Sequence, residues 1–299
     1  MTTWLISGAA RGLGAEIARA ALRAGDDVVL TARRTDRLPT DLQASEHLLP
    51  LALDVTDHAA IPAVVQAAVD RFGGIDVLVN NAGRGLLGAV EEVSDAEARS
   101  VFDLNVFGLL ALTRAVLPVM RRQRSGKLVH IGSRSGFEGE PGVGLYSATK
   151  FAVAGISEAL AAELAPFGIQ STVVEPGVFR TDFLDASSLS LPAQRIADYD
   201  GTPAHVTLDW SSQANHSQLG DPVKGAALIR EVVAGDVLPS HLYLGRDAVE
   251  RRETLIERIH DDLAAWREAS IATAHDDTAE GAADVVPQRR SPSASLTDA

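Results

Sequence analysis

Short apolar runs rich in Val, Ile and Leu alternate with longer amphipathic stretches along most of this 299-residue chain, and that alternation leaves few folds open. A run that is apolar along its whole length suits a strand buried on both faces. Strand, helix and strand in succession make the βαβ unit of a parallel sheet covered by helices on both sides. Seven strands are read, near Thr3 to Ser7, Asp27 to Ala32, Leu48 to Leu53, Ile75 to Asn80, Lys127 to Gly132, Gln170 to Glu175 and His241 to Leu244. Helical periodicity fills the intervals at roughly Gly12 to Ala24, Ala59 to Phe72, Asp95 to Arg122, Leu145 to Ala165 and Pro222 to Ala234. The expected fold class is α/β, a doubly wound parallel sheet of about seven strands in a single domain. A charged amphipathic stretch, Asp247 to Ala269, follows the last strand closely enough to pack on the same domain, which is drawn over residues 1–270.

Two segments break the rhythm. Residues 177–221 are long for a plain connection and carry Phe179, Phe183, Leu184, Tyr199 and Trp210 among Ser, Asp, Pro and Gly. A long loop with that composition is expected to be a lid over something apolar. Residues 271–299 are rich in Ala, Asp, Ser, Thr and Pro without a sustained period, and are expected to be a disordered tail.

Bulk properties exclude several functions. A net charge of -13 and a pI near 5.0 argue against nucleic acid or an anionic membrane as partner. Mean hydropathy is +0.06, and the longest apolar runs are read as broken by Gly or charge short of the roughly 18 residues a spanning helix needs, so no membrane segment is expected. No cleavable leader is expected, since Met1-Thr2-Thr3-Trp4-Leu5 reads straight into a strand without a basic stretch, and the absence of Cys removes disulfides, thiolate catalysis and thiolate zinc sites. The expected home is a reducing cytoplasm. None of the eight His residues has a metal-ligand spacing, so no metal is expected.

The first chemical signal is Ser7-Gly8-Ala9-Ala10-Arg11-Gly12-Leu13-Gly14, lying between strand one and the helix after it. Glycines there let the backbone turn sharply and approach a pyrophosphate, while the new helix offers free N–H groups and its positive end to the anion. The spacing is Gly-x-x-x-Gly-x-Gly. Further marks follow in order: Asn80-Asn81-Ala82-Gly83, Asn105, Ser133, Tyr146-Ser147-Ala148-Thr149-Lys150 and Pro176-Gly177. Together they resemble the short-chain dehydrogenase/reductase family, in its shorter one-domain branch, over roughly residues 3 to 182. Gly85 to Glu91 and the C-terminal third add some likeness to hydroxysteroid-dehydrogenase-like oxidoreductases. The resemblance implies a Rossmann-type sheet.

Tyr146 and Lys150 stand at i and i+4 on one helix face, where an ammonium beside a phenol is expected to lower its pKa towards neutrality for general acid/base work. Ser133, at the carboxyl end of a strand, can hydrogen-bond the same substrate oxygen. Ser135 is its rival, and the family spacing selects Ser133. By resemblance Asn105 completes a catalytic tetrad, holding a water that links Lys150 to solvent.

An acid about twenty residues beyond the glycines would accept the ribose 2'-hydroxyl of NAD. Here the stretch reads Thr31-Ala32-Arg33-Arg34, with Ala32 in the acid's place. A guanidinium binds a 2'-phosphate through charge-assisted hydrogen bonds, so NADP(H) is expected over NAD(H), with Arg33 as the reader and Arg11 as a second guanidinium. By resemblance Asp54 and Val55 border the adenine. Further cofactor contacts are implied at Gly8, Gly12, Leu13 and Gly14, at Asn81, Ala82 and Gly83, at Tyr146 and Lys150, and at Pro176, Gly177, Val178 and Thr181.

The resulting expectation is an oxidoreductase that moves a hydride between the nicotinamide and a carbonyl or alcohol carbon of a mainly apolar small molecule. Its pocket would be lined by Leu86, Leu87, Phe137, Val143, Phe179 and Phe183, and Glu138 and Glu140 are read as solvated loop carboxylates. Alternatives are a non-catalytic NADP(H)-binding sensor or scaffold, or epimerase or dehydratase chemistry in the same family. The resemblance also implies a homodimer or homotetramer.

Overall fold

A computed structural model describes residues 1–36 and 38–275. Seven strands form one parallel sheet: β1 (Thr3–Ile6), β2 (Asp27–Ala32), β3 (Leu48–Ala52), β4 (Val77–Asn80), β6 (Gly126–Ile131), β7 (Ile169–Pro176) and β9 (His241–Leu244). A two-stranded ribbon pairs β5 (Gly85–Leu86) with β8 (Leu189–Ser190). Helices are α1 (Gly12–Arg23), α2 (Ile61–Phe72), α3 (Asp95–Phe102), α4 (Leu109–Gln123), α5 (Gly144–Leu164), α6 (Pro203–Ala214), α7 (Pro222–Ala234) and α8 (Arg246–Ile271).

The order in the large sheet is β3-β2-β1-β4-β6-β7-β9. The chain winds outward from β1 in one direction to β3, then returns to β4 beside β1 and winds the other way. This is the doubly wound fold expected from the alternation, and its switch point lies between β1 and β4, at whose carboxyl ends such sheets bind ligands. Because β1, β2 and β4 are apolar on both pleats, each contributes to two cores. On one face Trp4, Ile6, Val28 and Leu30 pack with Ile17, Ala18 and Ala21 of α1 and Ile229 of α7. On the other, Leu5, Val29, Leu78 and Leu128 pack with Val65 of α2 and Leu112, Val116 and Met120 of α4.

Three features differ from the sequence expectation. The helix read across Asp95 to Arg122 is two helices joined by a π-helical turn, Asp103–Gly108, so the chain gains a residue where Asn105 is placed. By length and composition alone the run Asp95–Gln123 is long and apolar enough to cross a membrane, contrary to the reading that no such stretch exists. Its α4 face is spent on the core of the sheet. The lid read as loop contains α6, whose start is marked by Thr202 followed by Pro203, a favoured first helical residue.

The chain divides into two compact units, Met1–Arg252 and Glu253–Ala299, with the division inside α8. The first holds both sheets and every residue expected in the site. The second is described from 253 to 275 as the remainder of α8 and a short turn. Most of the tail expected to be disordered, residues 276–299, lies outside the described residues.

Buried in β6, His130 accepts from Asn80 Nδ2 at its Nδ1 (3.1 Å), leaving the proton on Nε2. Among the described residues no partner meets that Nε2. Burial drives its pKa from 6.5 down to about 4. Between those values the unfolded chain takes up a proton that the fold refuses, so this residue costs nothing above pH 6.5 and lowers stability increasingly as the pH drops towards 4, by about 3 kcal/mol. Denaturant unfolding of the native chain and of His130→Gln across pH 7 to 4 checks this. Equal slopes in the two proteins would remove His130 as the cause.

Candidate functional site

The glycine segment lies across the switch point. Gly8 and Gly12 adopt left-handed backbone, φ +64° and +59°. At Gly8 a Cβ would stand 2.8 Å from the Cα of Ala82, and at Gly14 it would collide with Asn81 Nδ2. Asn81 stitches that contact, its Nδ2 donating to the carbonyls of Ser7 (2.9 Å) and Gly8 (3.0 Å), while Ser7 Oγ accepts from the backbone N–H of Asn81 and Ala82. The segment therefore turns tightly into α1. That helix begins at Arg11 with no side-chain cap and no acid in its first turn, leaving its first N–H groups to an anion.

In front of it a cavity of about 1220 Å³ runs over the strand ends. Its wall includes Gly8, Arg11, Gly12, Leu13, Arg33, Asp54, Val55, Asn81, Ala82, Gly83, Ser133, Tyr146, Lys150, Pro176, Gly177, Val178 and Thr181. Gly14 and Asn105 stand outside that wall and shape it from behind. Leu87, Val143, Phe179 and Phe183 line the cavity as expected, but Leu86 and Phe137 do not. Phe137 is turned away by an edge contact with Tyr243, 5.7 Å between centroids, and by the guanidinium of Arg252 above its ring.

Arg33 is exposed on the cavity wall and makes no ion pair among the described residues. Arg34 instead pairs with Asp36 at 2.7 Å. Arg11 extends to the lid, donating to Ser187 Oγ and Ser188 Oγ at 2.6 Å each, so its guanidinium ties the glycine segment to the lid. Burial pushes Asp54 up, yet hydrogen bonds from Thr56 and the charge of Arg33 hold it below its ordinary value.

The four expected catalytic residues meet behind and beside one end of the cavity. Ser133 sits just past β6, and its Oγ accepts from Ser135 N (3.1 Å), which leaves its own proton to donate to the Tyr146 oxygen. Burial raises the Tyr146 phenol well above its ordinary range, the Ser133 hydrogen bond opposes this, and the charge of Glu140 adds to the rise. Lys150 Nζ donates to Ile131 O at 2.7 Å and stands 5.7 Å from the centre of the Tyr146 ring. Burial lowers it to about 8. The expected drop of the phenol towards neutrality is thus not what this geometry produces, because both groups lose water before they gain each other.

Asn105 is held by the π turn. Its Oδ1 accepts from Arg84 N (2.9 Å), and its Nδ2 donates to Arg84 O (2.9 Å) and Thr149 Oγ1 (3.1 Å). A Cβ on Gly83 would lie 3.1 Å from Asn105 Oδ1 and 3.7 Å from Lys150 Nζ, so that glycine lets the two side chains approach.

Several contributors were invisible in the sequence. Glu138 and Glu140 are not solvated: Glu140 accepts from Ser135 Oγ (2.9 Å) and pairs with Arg134 (3.2 Å) and Arg251 (3.5 Å), and Glu138 pairs with Arg251. Arg134 also reaches Asp247 (3.3 Å), whose carboxylate accepts from Val178 N (2.9 Å). The loop after Ser133 is thereby tied to the Pro176–Val178 turn. The lid is strapped in the same manner. Glu92, 2% exposed, accepts from Ile196 N and meets His205 Nε2 (2.8 Å), while the ring's Nδ1 meets Asp200 (3.0 Å). Gln218, 4% exposed on the cavity wall, has neither amide atom partnered among the described residues.

The expectation of no metal rested on sequence spacing. Among the described residues the fold gathers one group, Asp182, Asp185 and His216, with ligand atoms within 4.8 Å of one another. His216 is exposed there, and Asn215 donates to Asp185, so the group has local partners and no metal role is assigned to it.

The chain is similar to known proteins in sequence and fold. A family model described as short chain dehydrogenase matches residues 2–190. The oxidoreductase BOA17 of Botryotinia fuckeliana is 36% identical over 273 residues, 91% of this chain and 98% of that protein. A short-chain dehydrogenase from Streptomyces avermitilis superposes with a TM-score of 0.83 at 40% identity, covering 92% of this chain and all of that one. The closed form of a serine dehydrogenase complexed with NADP+ gives 0.69 at 28% identity, covering 81% and 94%.

Proposed function

This chain belongs to the short-chain dehydrogenase family, and from that premise we propose that it is an NADP(H)-dependent oxidoreductase acting on a carbonyl or alcohol carbon of a mainly apolar small molecule. The observation that carries the reading is the meeting of Ser133, Tyr146 and Lys150 at a cavity whose far end is the glycine segment.

The residues present fit a dinucleotide. The left-handed glycines, the uncapped start of α1 and the close approach of Gly8 to Ala82 leave room and N–H groups for a pyrophosphate. Arg33, with Ala32 in place of an acid, favours the 2'-phosphate, and the NADP+ bound by the serine dehydrogenase relative supports that choice. NADP(H) supplies or accepts the hydride.

Ser133 and Tyr146 bind the substrate oxygen, and in reduction Tyr146 gives it a proton. A phenol held protonated by burial is well suited to that direction, since it donates only as charge develops on the oxygen. Lys150, still largely charged at neutral pH, stabilises the phenolate that remains. Asn105 fixes the Arg84 backbone and Thr149, and so the geometry around Lys150. Leu87, Val143 and Phe183 form an apolar wall beside Tyr146, and Gln218 offers an unspent donor and acceptor to a polar group on the ligand. Dimer or tetramer formation accompanies this reading, with the exposed Phe107 and Phe151 available for helix contacts between copies.

Fluorescence titration with NADPH and NADH in parallel, followed by nicotinamide absorbance with a panel of ketones and aldehydes, tests the proposal. Tighter NADPH binding and carbonyl-dependent oxidation are expected. Binding without turnover on any carbonyl would reject the enzyme reading, and binding of neither nucleotide would reject the cofactor as well.

A further inference from the structure

The second half of α8 presents an apolar stripe that stands exposed among the described residues. Every residue from 256 to 275 is exposed. Among them Ile256, Ile259, Leu263 and Trp266 remain 54%, 51%, 62% and 69% accessible. Their spacing is three, four and three, which puts all four on one narrow face and gives the a and d positions of two heptads. A solitary helix of this length is marginal in water on propensity alone, and most helical stability comes from packing an amphipathic face. This face therefore calls for a partner.

The chemistry of the helix selects the partner. Residues 253–271 carry Glu253, Glu257, Asp261, Asp262 and Glu268 against Arg258 and Arg267, which opposes an anionic lipid surface. The residues that follow, 276–299, have only Val285, Val286 and Leu296 as large apolar side chains, without a helical period to match the stripe. A second copy of the same stripe is complementary to it by two-fold symmetry. In a parallel pair with the heptads in register, Asp262 falls at g and Arg267 at the following e, so each helix sets its Asp262 against the other's Arg267.

We propose that the distal part of α8 is a self-association element that pairs with α8 of a second copy as a short parallel coiled coil. Two heptads bury little area, so the pairing is weak and concentration-dependent. The pairing uses none of the residues named for the enzymatic reading, and its test does not depend on that reading.

Sedimentation velocity of the full chain over a concentration series, beside Ile259→Glu/Leu263→Glu, is the experiment. Both replaced side chains are exposed, and an unchanged unfolding midpoint confirms that the sheet is intact. The native chain is expected to reach twice the mass of the double variant at the top of the series. Asp262→Arg and Arg267→Asp should each weaken the doubling, and Asp262→Arg/Arg267→Asp should restore it. Equal masses of native chain and Ile259→Glu/Leu263→Glu at every concentration overturn the proposal, and failure of the paired charge reversal to restore association overturns the parallel register. Stripe-dependent flotation with phosphatidylcholine vesicles, without doubling, would replace the second copy by a lipid surface.

Discussion

Tyr146→Phe is expected to lower carbonyl turnover by roughly 10²- to 10⁴-fold, the usual contribution of a positioned acid or base, while NADPH binding is largely kept. The substitution deletes one oxygen. The ring itself packs against Leu87, Val143 and Phe183, with the Phe183 ring 5.8 Å away, and a Phe fills the same space. Ser133 keeps its bond from Ser135 N and still presents a hydroxyl, so the substrate loses a proton donor rather than its seat. The measurement is single-turnover nicotinamide absorbance beside a binding titration. Turnover retained within a few-fold would take Tyr146 out of the role, and lost nucleotide affinity would show that the change damaged the cavity instead.

The same site sets a pH dependence. Lys150 is lowered to about 8 by burial, so its ammonium is present below that pH and lost as the pH rises through it. Once the ammonium is gone, the phenolate formed by proton donation has no charge beside it. Reduction should therefore decline above pH 8 in the native protein.

The fold was legible because it rests on local pattern. β1, β2 and β4 read as strands because they are apolar on both pleats, and Gly8, Gly12 and Gly14 mark the turn into α1 by a spacing that backbone geometry requires. Tyr146 and Lys150 could be paired from sequence because a helix brings i and i+4 together. What failed to show depended on distant contacts or on averaged periodicity. The π turn at Asn105 adds a residue inside a 29-residue apolar stretch, too little to disturb its period. Arg134, Glu140, Arg251 and Asp247 are single charges in loops and a helix start, and only the close of the sheet puts them in one network. Phe137 looked like pocket lining until Tyr243 and Arg252, more than a hundred residues later, turned it away from the cavity. The phenol pKa was misjudged for a related reason: the i,i+4 spacing reports the neighbour but not the depth at which both groups are buried.

Arg33→Ala is expected to weaken NADPH binding by about tenfold to 100-fold and leave NADH almost unchanged. Charge-assisted hydrogen bonds are worth about 1.5–3 kcal/mol, which corresponds to that range. Arg33 is exposed, so the effect should shrink as ionic strength rises. Its neighbours cannot easily substitute. Arg34 is engaged with Asp36, and Arg11 is held by Ser187 and Ser188 at the lid. Ala32 ends β2 on the cavity wall, so Ala32→Asp added to Arg33→Ala places a carboxylate where it would repel a 2'-phosphate and accept from a 2'-hydroxyl, and preference should then turn to NADH. Parallel titrations of the three proteins at two salt concentrations decide the matter. If Arg33→Ala weakens both nucleotides alike, the residue serves the shape of the site rather than the reading of the phosphate, and selectivity must be sought in the stretch that follows it.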